Sequence, residues 1–484
     1  MRKGLVVLLA VVMVGVFALP AMADVSFFGS ARVVPTYYSN FDFNKNAPDV
    51  ATLNEGGFTS GEHIRSELRL GWKAGGDKWK IMMIAESDMI YNKNNADRSF
   101  YTSSQINSAN NTNANPNAGA EFGIERAEFS YAFTPAFELF TGWPISAVDI
   151  GTGGLLYGDD HPIIGFRGKF TDNIKYQLVY VSIQNTPTGA TTLEPTVTND
   201  WRVYFLKPEF SFGTAAMKGT LSPIVLFSDN RQRNAKITYY GLEGIGQFGM
   251  IKPSFEVIAA DGEFRGATTV DIKSYAAFAG VELAVNKAFN PYVAVRYTKG
   301  DDNSGDNEAE GFVGVTDIGR FTPLMGMDGN ILGEHLTTTA VGAFSFGSPL
   351  YSYAPERAGG GTGRIYGGIS NGGNGNNPGS QIIAVGAKGN LEDFVKGLSY
   401  KAQAFYIRYD KTGNLVNLQT PGTSVDKYAG VTTDLQLMYA FSPNFSVNGI
   451  YSMFVPGDGI KDQLAITAND TFASLYTMNL VWTY

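Results

Sequence analysis

Leu475 to Tyr484 read L-Y-T-M-N-L-V-W-T-Y, and the reading of this stretch decides the fold. Successive side chains of an extended strand point to opposite sides. Tyr476, Met478, Leu480, Trp482 and Tyr484 therefore share one face, and Thr477, Asn479, Val481 and Thr483 share the other. One face is apolar; the other is mostly small and polar. The chain then stops on an aromatic residue. A soluble sandwich can carry the same alternation, so the segments upstream have to decide what lies on each side.

Those segments repeat the pattern. Alternating stretches of ten to fifteen residues, enough for a tilted membrane strand, come in pairs joined by tight turns. Residues 62–73 and 78–90 are one pair, 121–133 and 136–148 the next, then 162–170 with 173–183, and 200–212 with 214–227. The series continues with 235–248 and 250–260, 272–285 and 289–299, 380–391 and 398–409, and 429–441 with 445–455. Residues 25–38 and 472–484 stand singly at the ends. Between pairs lie longer stretches rich in Asn, Gly, Asp, Ser and Thr, which is loop chemistry; the largest is 300–379. Eight hairpins and two end strands predict an all-β, antiparallel up-and-down barrel of eighteen strands. The apolar stretch 336–346 is assigned to the long insertion, with part of that insertion expected to fold into the lumen.

The start of the chain agrees with export. Arg2-Lys3, an apolar run from Gly4 to Leu19 and Ala21-Met22-Ala23 have the layout of a signal peptide cleaved after residue 23. Residues 24–484 then form one domain, because barrels grow by adding strands. After Asp24 no run is long enough for a membrane helix, and only helices and closed barrels satisfy the backbone in lipid. The formal net charge is −8, and −10 once Arg2 and Lys3 leave with the leader, which argues against nucleic acid as a partner. Absence of Cys excludes disulfides, thiol catalysis and Cys-ligated metals.

The faces favour lipid outside and water inside. In 62–73, Ile64, Leu68, Leu70 and Trp72 oppose His63, Arg65, Glu67, Arg69 and Lys73. Charges sit in mid-strand, and aromatics such as Trp72, Trp79, Tyr131, Phe133 and Phe137 cluster at strand ends, where membrane barrels carry girdles. Residues 203–212 are apolar on both faces and are expected to pack under a loop in the lumen. The inward phase assigns Arg32, Arg65, Glu67, Arg69, Arg126, Glu128, Arg167, Lys169, Arg202, Arg296 and Arg408 to the pore lining. Guanidinium groups bind carboxylates through paired hydrogen bonds, so such a set favours anionic solutes. Neutralisation by neighbouring acids is the competing reading.

At this point the sequence resembles a known group. The closing strand is similar to that of bacterial outer-membrane β-barrels, in which Trp482 and Tyr484 would be part of the signal read by the barrel-assembly machinery. The Arg-rich His63–Gly71 stretch, and residues 433–441, 445–454 and Val455-Pro456-Gly457-Asp458 ahead of the final strand, resemble porins of the alginate-export type. That resemblance implies an eighteen-stranded channel in the outer membrane, among lipid and lipopolysaccharide, passing anionic or small polar solutes by diffusion. It carries over no alginate specificity.

Other chemistries lack residues. His63, His161 and His335 are too scattered for a metal site. No G-x-S-x-G is present, and the Gly-rich 359–375 lacks the Lys and helix of a phosphate loop. Residues 301–310 hold five acids but put Asp306 where a calcium loop needs Gly. No enzyme and no cofactor is expected. The alternative function is a sheath for a periplasmic multihaem cytochrome in an electron conduit; the chain itself has no C-x-x-C-H motif.

Overall fold

The computed structural model describes residues 24–39, 62–91, 100–101, 123–144, 146–149, 151–159, 161–184, 187–188, 197–198, 200–214, 217–231, 234–266, 268–303, 306–315, 378–417, 419–464 and 472–484. Eighteen strands build the wall: β1 (Asp24–Ser39), β2 (Glu62–Gly75), β3 (Trp79–Tyr91), β4 (Gly123–Thr134), β5 (Phe137–Trp143), β6 (Ile163–Thr171), β7 (Ile174–Gln184), β8 (Trp201–Gly213) and β9 (Met217–Asn230) make the first half. The second half is β10 (Ala235–Phe248), β11 (Ile251–Arg265), β12 (Thr269–Leu283), β13 (Asn290–Thr298), β14 (Ser380–Asn390), β15 (Leu398–Tyr409), β16 (Tyr428–Ser442), β17 (Phe445–Pro456) and β18 (Ala473–Thr483). Each strand pairs antiparallel with the next. The closing seam runs from Ser30 opposite Thr483 to Ser39 opposite Ser474, so β18 returns to β1 and no wall strand is left as an edge. The two-residue stretch Glu308–Ala309 adds in parallel beside β12. A short helix, α1 (Asp458–Leu464), follows β17.

The strand count and pairing match the sequence reading, and most boundaries fall within a few residues of it. Three do not. β5 ends at Trp143 rather than at residue 148. β11 runs to Arg265 rather than 260, which leaves three residues before β12 where a long loop was expected. β9 runs to Asn230 and β10 starts at Ala235, so that connection is short as well. Asp261, Gly262 and Glu263 carry loop composition, yet they continue the ladder opposite Thr238, Ile237 and Lys236. A strand needs only about ten residues to cross hydrocarbon. Beyond that height polar residues do not interrupt a ladder whose backbone bonds are made.

The outer face is apolar. Leu178, Leu206, Val225, Val257, Val293, Val385 and Leu435 are all exposed on it. Aromatic rings bound this band at both ends. At the tight-turn end Phe137 stacks on Phe166 (4.6 Å), Phe170 on Tyr176 (4.8 Å) and Phe445 on Trp482 (4.8 Å). At the other end Tyr451 meets Tyr476 (4.7 Å), Tyr406 stacks on Tyr428 (5.3 Å) and Tyr275 meets Tyr297 (5.4 Å).

The bore is partly filled. Inward residues of β7 to β12, among them Val181, Val203, Phe205, Leu226, Ile237, Tyr239, Ile258 and Ile272, form one dry cluster with Leu155, Leu156 and Tyr157 and with Phe312, Val313 and Val315. Phe205 is 1% exposed and its neighbour Tyr204 43%, which separates the two apolar faces of β8. The loop expected over 203–212 is therefore present, supplied by two segments. Residues 336–346 lie outside the described residues.

Candidate channel and constriction

The inward segment starts at Gly142. Its φ is +126°, and a side chain there would run into the Ala127 carbonyl. The chain leaves the wall after Trp143, makes two rungs (Ser146 opposite Asp159, Ala147 opposite Gly158) and enters the bore. Asp149, 1% exposed, shapes it: its carboxylate accepts the N–H groups of Leu156 (2.6 Å) and Tyr157 (3.3 Å). Its carbonyl accepts those of Thr152 (3.1 Å) and Gly154 (3.3 Å).

Thr152 carries the segment onto the wall. Its Oγ1 lies 3.0 Å from Glu243 Oε2 on β10 and 2.8 Å from Glu256 Oε2 on β11. The Gly153 N–H donates to the same Glu256 oxygen at 2.8 Å. Lys207 of β8 pairs with Glu243 and donates to the Val148 carbonyl. Glu256 is 0% exposed and Glu243 6%. Three buried carboxyl groups, those of Asp149, Glu243 and Glu256, thus gather here with one lysine, which pairs with Glu243; such a cluster is costly unless hydrogen-bonded, and Glu256 Oε1 has no hydrogen-bond partner among the described residues. The Thr152 hydroxyl has one proton, which these two glutamates share or take in turn. None of these five residues was singled out from the sequence, although Lys207, Glu243 and Glu256 break otherwise apolar inward faces.

Of the expected lining residues, Arg32, Arg69, Arg126, Glu128, Arg167, Lys169 and Arg296 take inward positions. Arg69 pairs with Glu86. Arg167 bridges Glu128 (2.8 Å) and Glu138 (2.9 Å), with its guanidinium over the Phe140 ring. Lys169 pairs with Asp172 at a tight turn. Arg296 is buried at 1% exposure beside the apolar cluster. Arg202 and Arg408 stand on the other face. Trp201, Val203 and Phe205 point inward, so Arg202 points out, where it meets Asp200. Ile407 and Tyr409 are buried inward, so Arg408 points out with Tyr406. Alternation was read there one residue out of phase, because both faces of these strands carry bulky groups. The backbone of Arg65 and Glu67 lies in β2, opposite Val34 and Arg32; their side chains lie outside the described residues.

A second basic group had escaped the sequence reading. A cavity of about 880 Å³ opens at the tight-turn end beneath Thr152, and Lys218, Lys252, Lys388 and Lys401 line it together with Glu282. Glu282 takes Lys252 at 3.1 Å and Lys388 at 2.7 Å. Lys388 and Lys401 face each other across β14 and β15, a like-charge pair that disfavours the site unless a counter-charge is near. Beside it a hydrogen-bonded belt links Tyr292 to Gln403 (2.6 Å), Gln403 to Asp434 (2.7 Å) and Ser452 to Asp434 (2.6 Å). The signal that could have found these lysines is their inward phase.

The acidic stretch 301–310 is less free than its composition suggests. Asp301, 2% exposed, accepts the N–H groups of Asn303 (2.9 Å) and Glu310 (3.1 Å), and burial pushes its carboxyl up from the ordinary range. Asp302 pairs with Lys411 at 2.9 Å, and that hydrogen bond holds its carboxyl below the usual value. Glu310 pairs with Lys299 at 2.6 Å. Among the described residues no group of acids or histidines is arranged to hold a metal ion.

No family model matches the chain, and no curated protein matches it in sequence. Solved structures match over nearly its whole length. OccAB2 of Acinetobacter baumannii superposes with a TM-score of 0.55 at 12% identity, covering 95% of this chain and 98% of that one. OpdK of Pseudomonas aeruginosa, solved with vanillate, gives 0.51 at 11% identity over 95% and 98%. OprD of the same organism gives 0.51 at 10% over 95% of each chain. The fold is that of an outer-membrane porin. At such identity the likeness concerns architecture. It supports the porin barrel and does not single out the alginate-export group.

Proposed function

We propose that this chain is a porin of the bacterial outer membrane, a water-filled channel through which small polar solutes diffuse, with a preference for anions. The long-loop end faces outward and the tight turns face the periplasm. The observation that carries the reading is the lysine-lined cavity inside a closed barrel whose outer face is an apolar band between aromatic girdles. Four lysines line that cavity against Glu282, with Asp434 acting on Lys401 from beside it, so cations outnumber acids and a passing anion supplies counter-charge. The Arg69, Arg126 and Arg167 wall contributes less, since Glu86, Glu128 and Glu138 offset it. No catalytic role is assigned. A sheath around a multihaem cytochrome needs an open bore, and the segments holding Leu156 and Val313 occupy this one.

Planar-bilayer recording across a salt gradient tests the reading. The purified barrel should conduct, with a reversal potential on the anion side, and Lys388→Ala with Lys401→Ala should move it toward cations. A strongly cation-selective channel unmoved by that pair would overturn the anion preference, and a barrel that never conducts would overturn the porin reading.

A further inference from the structure

Arg408 has no role in a pore, because it stands on the outer face. It lies at the long-loop end of β15, directly opposite Tyr428 of β16. Just below it, Tyr406 and Tyr428 stack with 5.3 Å between ring centres and 18° between planes, part of the girdle that marks the membrane boundary. Above and beside it opens a pocket of about 800 Å³. Its lining combines Arg408 and Lys427 with the hydroxyls of Thr412, Thr420, Thr423 and Ser424. Two acids also border it: Asp462, which accepts the N–H of Asp426 at 2.9 Å, and Asp426, which accepts that of Tyr428 at 2.7 Å. Lys427 donates to the Asp410 carbonyl at 2.6 Å. Arg408 is exposed and lines the pocket.

We infer that this rim pocket binds the phosphorylated sugar headgroup of an outer-leaflet glycolipid. The inference rests on the orientation in the proposed function. Three features select that ligand class. The planar, permanently charged guanidinium matches phosphate oxygens in a bidentate fork. A row of hydroxyls suits a sugar. The stacked tyrosines lie where the headgroup gives way to acyl chains, an environment that amphipathic rings favour.

The test compares binding of a diphosphorylated lipid A to the detergent-solubilised full barrel and its variants, read by native mass spectrometry, with inorganic phosphate as competitor. Arg408→Ala should weaken binding about tenfold, the worth of one charge-assisted contact, and Arg408→Lys less. Arg265 is the control: it is exposed at the same end, with its guanidinium on Glu263. Arg265→Ala should leave binding unchanged. Equal losses in both variants would mean general rim electrostatics, and no loss in R408A would mean no site; either overturns the inference. Full displacement by millimolar phosphate would assign the pocket to a free anion and overturn the lipid source. Heat-modifiable migration shows that each variant is folded. Conductance of the same preparations reads the porin assignment separately, since Arg408 faces away from the lumen.

Discussion

Replacing Glu256 probes what holds the constriction in the bore. Its Oε2 accepts two hydrogen bonds from the inward segment, from Thr152 Oγ1 and Gly153 N–H, both at 2.8 Å. Hydrogen bonds to a charged or buried carboxyl are worth about 1.5–3 kcal/mol each, so Glu256→Ala removes roughly 3–6 kcal/mol of attachment. Leu155, Leu156 and Tyr157 are 0–1% exposed in the apolar cluster, and burial of such side chains contributes about 1.5–3 kcal/mol each. The apolar contacts thus equal or exceed the polar pin. E256A should loosen the segment without releasing it, giving noisier single-channel current and added, larger conductance levels. Adding Leu156→Ala, which costs a further ~2–5 kcal/mol, should convert these into a persistently wider channel.

Glu256→Gln separates geometry from charge. Its amide oxygen can still accept from Thr152 and Gly153, and one of three clustered buried carboxyl groups is gone. Current through E256Q should match the unmodified channel. Planar-bilayer recordings on folded, heat-modifiable protein decide. An E256A channel as quiet as the parent, or an E256Q channel as noisy as E256A, would refute the hydrogen-bond account of the pin.

Arg167→Ala leaves Glu128 and Glu138 facing the lumen without their shared guanidinium; selectivity should move toward cations, with a stability loss of about 1–3 kcal/mol for these half-exposed pairs, measurable by reversal potential and urea unfolding. Deleting Trp482–Tyr484 removes the reciprocal Gly29–Tyr484 backbone bonds (3.2 Å each) and the Trp482–Phe445 stack, and should lower the yield of folded barrel in membranes; undiminished assembly would remove the final aromatic residues from the closing mechanism. Residues 1–23 lie outside the described residues, and N-terminal sequencing of the mature protein should begin at Asp24.

The wall was legible because its periodicity is enforced along every strand. One slipped residue sends a whole apolar row to the wrong side, so the short turns at Gly213 and Gly249 and the alternation after them fix register together. Side-chain direction was less legible where both faces are bulky. In β8, Trp201, Val203 and Phe205 on one side compete with Tyr204 and Leu206 on the other, and nothing local tells which row meets lipid. Arg202 was misplaced for that reason. Arg408 failed in the same way: Phe405 and Ile407 outweigh Tyr406 in apolarity, yet they face the bore. The pin was illegible for a different cause. Thr152 meets Glu243 and Glu256 across about 90 and 100 residues of sequence, and no spacing rule reaches that far.

These two failures have a common source, and it bears on what the bore is for. A porin wall that faced only water would show apolar residues outward and polar residues inward along every strand. β7 to β12 break that rule together, on adjacent strands, with their inner apolar row at 8% exposure or less from Val179 to Phe278. Such a row is costly against water and stable only under a lid, so an inward segment is a requirement of those strands rather than an ornament. Inward charges concentrate on β2 to β6, at Arg69, Glu86, Arg126, Glu128, Glu138 and Arg167. Under the proposed function, we place the solute path along the side where Arg69, Arg126 and Arg167 stand and past the lysines beneath Thr152. In that proposal the asymmetry of the wall, not its net charge, sets the path.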